Sequence, residues 1–256
     1  MNDKALVAVS FGTSVPEAET AIAHVEAALR TACPDRSFLR AYTSRIICRK
    51  LAREGRPVLS PEAALEQLEA EGCRDVAIQP THLTPGDEYD KLCRIAADYA
   101  PRFETLRMGR PLISGAEDLL ALAEIVRLRY PVTDGALLLM GHGSSHIANM
   151  IYPALQMAFR LQGAENVFVG TVEGWPTLSD CLTQLMQSGV RTVQLAPLML
   201  VAGDHARNDM AGAGEESWSS VLQNHGFAVT CAMDGLGQWD EIAALYRSHL
   251  EALLAQ

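Results

Sequence analysis

Two histidines and a glutamate follow apolar segments in the second half of the chain. His142 lies between two glycines after the apolar run LLLMG, Glu173 closes VFVGTVE, and His205 follows PLMLVAGD. If these segments are strands of one parallel sheet, their carboxyl ends share the edge where ligands bind. Two imidazoles and a carboxylate suit zinc, cobalt, nickel or ferrous iron. The same groups could move protons, since histidine titrates near neutral pH and burial raises the pKa of glutamate.

Each of these residues also has a purely structural interpretation. His205 could be the first residue of a helix, hydrogen-bonded to Asp204, and Glu173 could form an ion pair at a strand end. His146 is either a further site residue or a surface histidine in a first helical turn. His142 is the hardest of the four to explain by packing, because flanking glycines leave its ring little to pack against.

Short apolar runs alternate with stretches of helical period, which predicts an α/β fold. Capping signals place helix starts at about 14, 61 and 115: Ser14 with Glu17, Ser60 with Pro61, and Ser114 with Glu117. Gly72 and Gly189 follow periodic segments, where a left-handed residue ends a helix. Strands are predicted after both glycines.

The two halves of the sequence resemble each other. ALVAVSFGTS at 5–14 aligns with ALLLMGHGSS at 136–145, and GCRDVAIQPTHLTPGDE at 72–88 aligns without a gap with GVRTVQLAPLMLVAGDH at 189–205. An internal repeat predicts two similar lobes, each a parallel sheet flanked by helices, at 1–130 and 131–256. The last helix is a candidate to pack back on the first lobe.

The differences between the two copies indicate where the chemistry lies. Phe11 and Glu88 of the first copy stand where the second copy has His142 and His205. Only the second copy has histidine at both strand ends. The metal site is therefore predicted in the second lobe.

Composition narrows the function classes. The 256 residues are 48% hydrophobic and 20% charged, with a formal net charge of −10, which opposes nucleic-acid binding. The chain has no apolar run long enough for a transmembrane helix and no signal-peptide pattern, so a cytoplasmic protein is expected. The six cysteines include no C-x-x-C pair, which argues against iron–sulfur and cysteine-rich zinc sites.

Nucleotide-binding and serine-hydrolase motifs are missing from the sequence. SFGTS has the glycine of a phosphate-binding turn, but neither G-x-G-x-x-G nor G-x-x-x-x-G-K-[ST] occurs. GHGSSH places serine beside histidine without a G-x-S-x-G turn. Any activity is expected to need no ATP or NAD.

Seven segments of the chain together resemble a known family, the anaerobic sirohydrochlorin cobaltochelatases of cobalamin biosynthesis, which are ATP-independent class II chelatases. The segments are VSFGTS, CPDR, AYTSRIICRKL, DVAIQPTHLTPGDEYDKL, MGHGSSH, TVEGWP and PLMLVAGDHARNDM, in that order. The resemblance covers nearly the whole chain. It implies two α/β lobes with the tetrapyrrole bound in a cleft between them.

The resemblance also implies roles for individual residues. His142, Glu173 and His205 match the family's metal ligands, the two histidines match catalytic groups, and Glu88 in GDEYDK matches an acidic residue that assists at the cleft. Some relatives carry a secretory leader and a haem-binding histidine after GDEYDK. Here LCRIAADYA contains no histidine, which argues against a haem-binding form.

Chelation makes its own physical demands. Metal insertion removes two pyrrole protons, which needs a base over the ring, and an open three-ligand site can release its ion. A carboxylate-rich ring also requires local cations in an acidic protein. The candidates are Arg45, Arg49, Lys50 and Arg207, each of which could also be an ordinary solvated surface charge. Phe11 could pack on the macrocycle or in the core, and Ser14 is a further candidate for substrate contact.

The expected activity is therefore insertion of Co(II), as substrate metal, into sirohydrochlorin. A ferrochelatase or nickel chelatase acting on a related tetrapyrrole, a non-catalytic metal or tetrapyrrole carrier, and a zinc hydrolase remain alternatives. The expected partners are the small tetrapyrrole and a divalent metal, with neither nucleic acid nor membrane. The sequence does not decide between a monomer and a homo-oligomer.

Overall fold

Strands and helices alternate along the chain, as the sequence predicted. The structure, a computed structural model, describes residues 3–256. These residues form two compact units, one ending at Ser114 and joined by Gly237–Gln256, the other spanning Gly115–Leu236. Each unit contains one four-stranded parallel sheet, which confirms the predicted α/β lobes.

In the first unit, strands that form one sheet alternate along the chain with helices. In chain order its elements are β1 (Lys4–Ser10), α1 (Pro16–Ala32), β2 (Ser37–Tyr42), α2 (Arg45–Arg53), α3 (Pro61–Ala70), β3 (Asp75–Pro80), α4 (Asp87–Tyr99) and β4 (Thr105–Met108), with α9 (Asp240–Leu254) added from the end of the chain.

The second unit repeats this alternation. Its elements are α5 (Ala116–Arg129), β5 (Ala136–Gly141), α6 (Ile151–Leu161), β6 (Val167–Thr171), α7 (Leu178–Ser188), β7 (Thr192–Pro197), α8 (Trp218–Asn224) and β8 (Ala228–Cys231). A 3-10 turn at Ile147–Met150 precedes α6, and a π-helical segment at His205–Met210 follows β7.

Strand order is the same in both sheets, which is the structural form of the internal repeat. The first sheet runs β2-β1-β3-β4 and the second runs β6-β5-β7-β8. In each unit the second strand lies on one side of the first strand, and the third and fourth strands lie on the other side. The connections therefore run in opposite directions from the first strand, and the first and third strands flank a topological switch point. Ligands bind at the carboxyl ends of strands at such points. The strands before His142 and His205 are this central pair in the second unit.

The strands are built from nearly continuous apolar runs because helices cover both faces of the sheets. All six residues of β5 and all five of β6 are buried. On one face of the second sheet they pack with Cys181, Leu185, Trp218 and Leu222 from α7 and α8. The strand ends that carry the candidate ligands therefore project from a packed core.

The unit boundaries differ from the predicted division at 130/131. Helix α5 packs on α6 and belongs to the second unit, where Gln162 donates to the Leu120 carbonyl over 3.0 Å. Helix α9 packs on α1 in the first unit, and His24 Nε2 lies 3.0 Å from Asp240 Oδ1. Sequence placed α5 with the first lobe because the repeat alignment begins only after it.

The three helices start within two residues of the predicted positions, but only one of the three predicted capping residues is correct. Ser60 accepts a hydrogen bond from Ala63 N, with Pro61 as the first helical residue. Ser14 does not cap α1, which starts at Pro16 after Val15, because the Ser14 hydroxyl accepts from Lys50 Nζ over 2.9 Å. The third helix starts at Ala116, close to the predicted position of about 115, but its N-cap is Gly115, and Ser114 donates to the Pro111 carbonyl.

The predicted left-handed glycines are confirmed. Gly72 and Gly189 follow α3 and α7 with φ of +76° and +75°. Within residues 3–256, no helix combines the length and apolar character needed to cross a membrane.

Candidate metal centre

His142 follows β5 in a turn that only glycine can make. Gly143 has φ +78°, and a Cβ there would lie 2.6 Å from both Gly174 N and Thr171 Cβ. The turn therefore brings the segment after β5 into direct contact with the segment after β6. His142 emerges from this turn partly exposed.

The His142 ring is held through one nitrogen. Its Nδ1 lies 2.9 Å from the Gly143 carbonyl oxygen and 3.8 Å from Glu173 Oε2. A carbonyl can only accept, so the proton of the neutral ring lies on Nδ1 and the lone pair on Nε2. Nε2 is then the atom available to a metal ion.

Glu173 is positioned by an extension of strand pairing beyond β6. Val172 N donates to the Gly141 carbonyl over 3.0 Å, and Glu173 N donates to the His142 carbonyl over 2.8 Å. These bonds fix the backbone of Glu173 beside that of His142. Its carboxylate is exposed and has room to rotate onto an ion.

His205 begins the π-helical segment after β7. Its Nδ1 lies 2.5 Å from Asp209 Oδ2, four residues further along the same segment. A carboxylate bound to one nitrogen of a histidine orients the ring and leaves Nε2 as the ligand atom. The predicted partner Asp204 is not the one observed, because the π-helical segment places Asp209 beside the ring.

The three predicted ligands converge in the structure. The rings of His142 and His205 meet edge to face, with centroids 4.8 Å apart and planes at 76°. One ligand atom each from His142, Glu173 and His205 lies within 4.8 Å of the others. A divalent ion of the zinc, cobalt or iron type could be held by such a set, with further coordination positions left to solvent or substrate.

The predicted residues of the first unit lie near the carboxyl edge of its sheet. Phe11, just after β1, is 48% exposed, and its carbonyl accepts from Ser44 N at the start of α2. Arg45 Nη2 lies 3.6 Å from Glu62 Oε1, a loose pair with an exposed guanidinium. Ser14 is bound to Lys50. These contacts leave Phe11 and Arg45 accessible to a ligand.

Glu88 lies in the first turn of α4, where the helix dipole favours a negative charge. Its Oε2 lies 3.8 Å from Lys91 Nζ, and Lys91 also donates to the Thr43 carbonyl over 3.4 Å.

In the second unit, Arg207 is exposed two residues after His205. The undecided His146 caps the turn at Ile147–Met150, with Nδ1 accepting from Ala148 N.

Sequence reasoning missed two residues that support the candidate ligands. Asp209 could have been found four residues after His205, but the spacing carries meaning only once the segment is known to be helical. Asn149 is buried and bonds to the segments that follow both β5 and β6. Continuing the repeat alignment without a gap places Ala18 opposite Asn149, a polar-for-apolar difference that could have drawn attention to it.

The chain is similar to known proteins over nearly its whole length. Residues 4–255 match the family model described as Cobalt chelatase (CbiK). A sirohydrochlorin cobaltochelatase of Salmonella typhimurium is 40% identical over 98% of this chain and 96% of its own. The sirohydrochlorin cobaltochelatase CbiKC of Nitratidesulfovibrio vulgaris is 32% identical over all of this chain and 92% of its own.

Solved structures show the same fold at lower identity. SirB from Bacillus subtilis, solved with Fe3+, matches with a TM-score of 0.66 at 15% identity, covering 98% of this chain and 96% of its own. CbiX, described as the terminal enzyme of sirohaem biosynthesis in denitrifying bacteria, matches with a TM-score of 0.58 at 16% identity, covering 97% and 99%. With a family model spanning nearly every residue and two relatives above 30% identity, the chain belongs to the CbiK cobalt chelatase family.

Proposed function

We propose that the protein inserts Co(II) into sirohydrochlorin and that His142, Glu173 and His205 deliver the metal. The observation that carries the proposal is the convergence of these three side chains at the switch point of the second sheet, in a member of a cobalt chelatase family. The reaction exchanges one Co(II) for the two protons of the pyrrole nitrogens.

A set of three side chains suits a metal ion that must be released from the protein to the ring. A closed set of four protein ligands would retain the metal as a structural site does, whereas three ligands leave positions for the ring nitrogens. The carboxylate of Glu173 lowers the net charge of the bound ion. Glu173 is exposed and the two histidines are partly exposed, so the ring can approach from the solvent side.

Proton removal belongs to the same residues in this proposal. A base must lie within hydrogen-bond reach of the proton it takes. As the metal moves to the ring, the Nε2 lone pairs of His142 and His205 become free to accept the displaced protons. We assign Glu88 an assisting acid–base role, because its Oε2 has no hydrogen-bond partner among residues 3–256 and lies 3.8 Å from Lys91 Nζ.

Binding of an acidic ring requires cations that the net charge of −10 does not predict. Helix α2 supplies them, with basic residues at positions 45, 49, 50 and 53 and no acidic residue in its first turn. We propose that Arg45 and Arg207 pair with substrate carboxylates, that Ser14 lies among these contacts, and that Phe11 packs on the macrocycle. Arginine suits this role because its planar group binds a carboxylate through two hydrogen bonds.

Two further parts of the proposal concern the conditions under which the protein acts. Insertion is proposed to need no nucleotide, and the protein is proposed to act in the cytoplasm. A native mass measurement would determine whether the protein self-associates.

The experiment is a metal-insertion assay. Purified protein is incubated with sirohydrochlorin and Co(II), Fe(II) or Ni(II) in turn, and formation of the metallated ring is followed by absorbance. We expect many metallated rings per protein chain and the highest rate with Co(II). At most one ring per chain would indicate a carrier, and a clear preference for iron or nickel would contradict the proposed metal.

A further inference from the structure

The side chain of Asn149 joins the two segments that carry His142 and Glu173. Asn149 lies in the 3-10 turn before α6 and is only 4% exposed. Its Oδ1 accepts from Ser144 N over 3.1 Å, and its Nδ2 donates to the Trp175 carbonyl over 2.5 Å. The partners fix the orientation of the amide, because a backbone N–H can only donate and a carbonyl can only accept.

Each bonded backbone group lies two residues after a candidate ligand. Ser144 follows His142 in the segment after β5, and Trp175 follows Glu173 in the segment after β6. The Asn149 side chain is buried and both bonds are partly buried, so losing the amide would leave Ser144 N and the Trp175 carbonyl without these partners. An unsatisfied buried polar group is costly, and the segments would be expected to shift to find water or other partners.

The space around the amide is closed. A Cβ at Gly174 would lie 2.3 Å from Asn149 Oδ1 and 2.9 Å from Ser144 N. Glycine at 174 is thus what permits the two segments and the amide to approach each other. The backbone at Gly174 therefore packs directly against the Asn149 amide and Ser144 N, and a movement of either segment would disturb this packing.

We propose that Asn149 is a positioning residue that holds His142 and Glu173 at the spacing needed for one metal ion. The inference rests on the proposed function of these two residues as metal ligands, and it adds a residue that touches neither metal nor ring. Supporting residues around a metal site change affinity through the ligands they orient.

The test compares Asn149→Ala with a matched control in the same unit. Gln156 is also a buried amide, which accepts from Val169 N over 3.0 Å and donates to Gln184 Oε1 over 2.7 Å. It joins β6 to α7, away from the segments after β5 and β6. Gln156→Ala therefore removes similar buried hydrogen bonds without touching those segments.

Three quantities are measured for each variant: Co(II) affinity by titration of the metal alone, affinity for metal-free sirohydrochlorin, and thermal unfolding. We expect Asn149→Ala to weaken Co(II) binding by about 10- to 100-fold, as for other supporting residues of metal sites, with ring affinity retained. We expect Gln156→Ala to lower the unfolding temperature while Co(II) affinity stays at the wild-type level. Equal Co(II) affinity in wild type and Asn149→Ala would overturn the inference, as would equal losses in both variants.

A second variant covers the case in which Asn149→Ala does not fold. Gly174→Ala places a methyl group against the intact amide and should weaken Co(II) binding in the same direction. Where Asn149→Ala does fold, the double variant removes the clash with Oδ1, so the two losses should not add. Additive losses would show that the residues act independently and would overturn the inference.

His142→Ala, titrated in parallel, separates this inference from the proposed function. Wild-type Co(II) affinity in His142→Ala would refute the metal site itself. Loss of Co(II) binding in His142→Ala together with full binding in Asn149→Ala would refute only the positioning role.

Discussion

The imidazole rings of His142 and His205 lie edge to face, 4.8 Å between centroids, although 62 residues separate them in the sequence. The contact follows from topology, since β5 and β7 are adjacent central strands. Each ring has an oxygen acceptor at Nδ1, so both leave Nε2 for a metal. The matching orientation of the two rings supports the proposal that they bind one ion between them.

We expect His142→Ala and His205→Ala each to reduce metal insertion severely while the protein stays folded. Both residues lie beyond strand ends and are partly exposed, so their removal opens no cavity in the core. The measurement is initial rate of Co(II) insertion together with thermal unfolding. His225→Ala, at an exposed histidine after α8, is the control and should keep the wild-type rate. A near-wild-type rate in either site variant would remove that residue from the site.

Asp209 is expected to act through His205. Asp209→Ala frees Nδ1 of the ring and should weaken Co(II) affinity by about 10- to 100-fold, whereas Asp209→Asn keeps an acceptor oxygen and should lose less. Asp204→Asn is the control, because Asp204 precedes His205 and is exposed. Cobalt titration of the three variants gives the result. If Asp204→Asn were the more damaging change, the observed pairing with Asp209 would not be the functional one.

Glu173→Gln tests whether the glutamate binds metal or ring. The substitution keeps the size of the side chain and removes its negative charge, so Co(II) affinity should fall more than affinity for the metal-free ring. Glu165→Gln, at an exposed glutamate just before β6, is the control and should change neither titration. Unchanged cobalt affinity with a collapse of ring binding would make Glu173 a substrate contact.

The sequence predicted the sheets and the proximity of the three candidate ligands because both depend on local patterns and on the repeat. Apolar runs of strand length and the paired glycine-rich turns were enough to place His142, Glu173 and His205 on one edge. Prediction from the sequence failed where a side chain can form hydrogen bonds with more than one partner. Ser14 has capping spacing, yet a lysine from another helix takes its hydroxyl. Asp209 depends on a π-helical segment, and Asn149 depends on two segments that are close only in the folded chain.

Metal insertion is expected to proceed without nucleotide. The sequence has neither phosphate-binding motif, and sirohydrochlorin loses its protons to bases already present in the proposed mechanism. The check is the rate of Co(II) insertion by the purified protein with and without Mg-ATP, after removal of residual nucleotide. Equal rates are expected. An absolute requirement for ATP, or for a partner ATPase, would contradict this part of the proposal.

His82, in the segment after β3, should make stability depend on pH without involving the metal centre. Both its ring nitrogens are buried without a hydrogen-bond partner among residues 3–256, and burial lowers the pKa of His82 from 6.5 to about 4. Below pH 6.5 the unfolded chain binds a proton that the folded protein does not, so stability falls with pH until about pH 4. From pH 7 to pH 5 this amounts to about 2 kcal/mol. His82→Leu should reduce the loss of unfolding free energy over that interval by this amount, whereas the exposed His225→Gln should not. Denaturant unfolding at the two pH values measures it, and an unchanged pH dependence in His82→Leu would show that the ring is protonated in the folded protein.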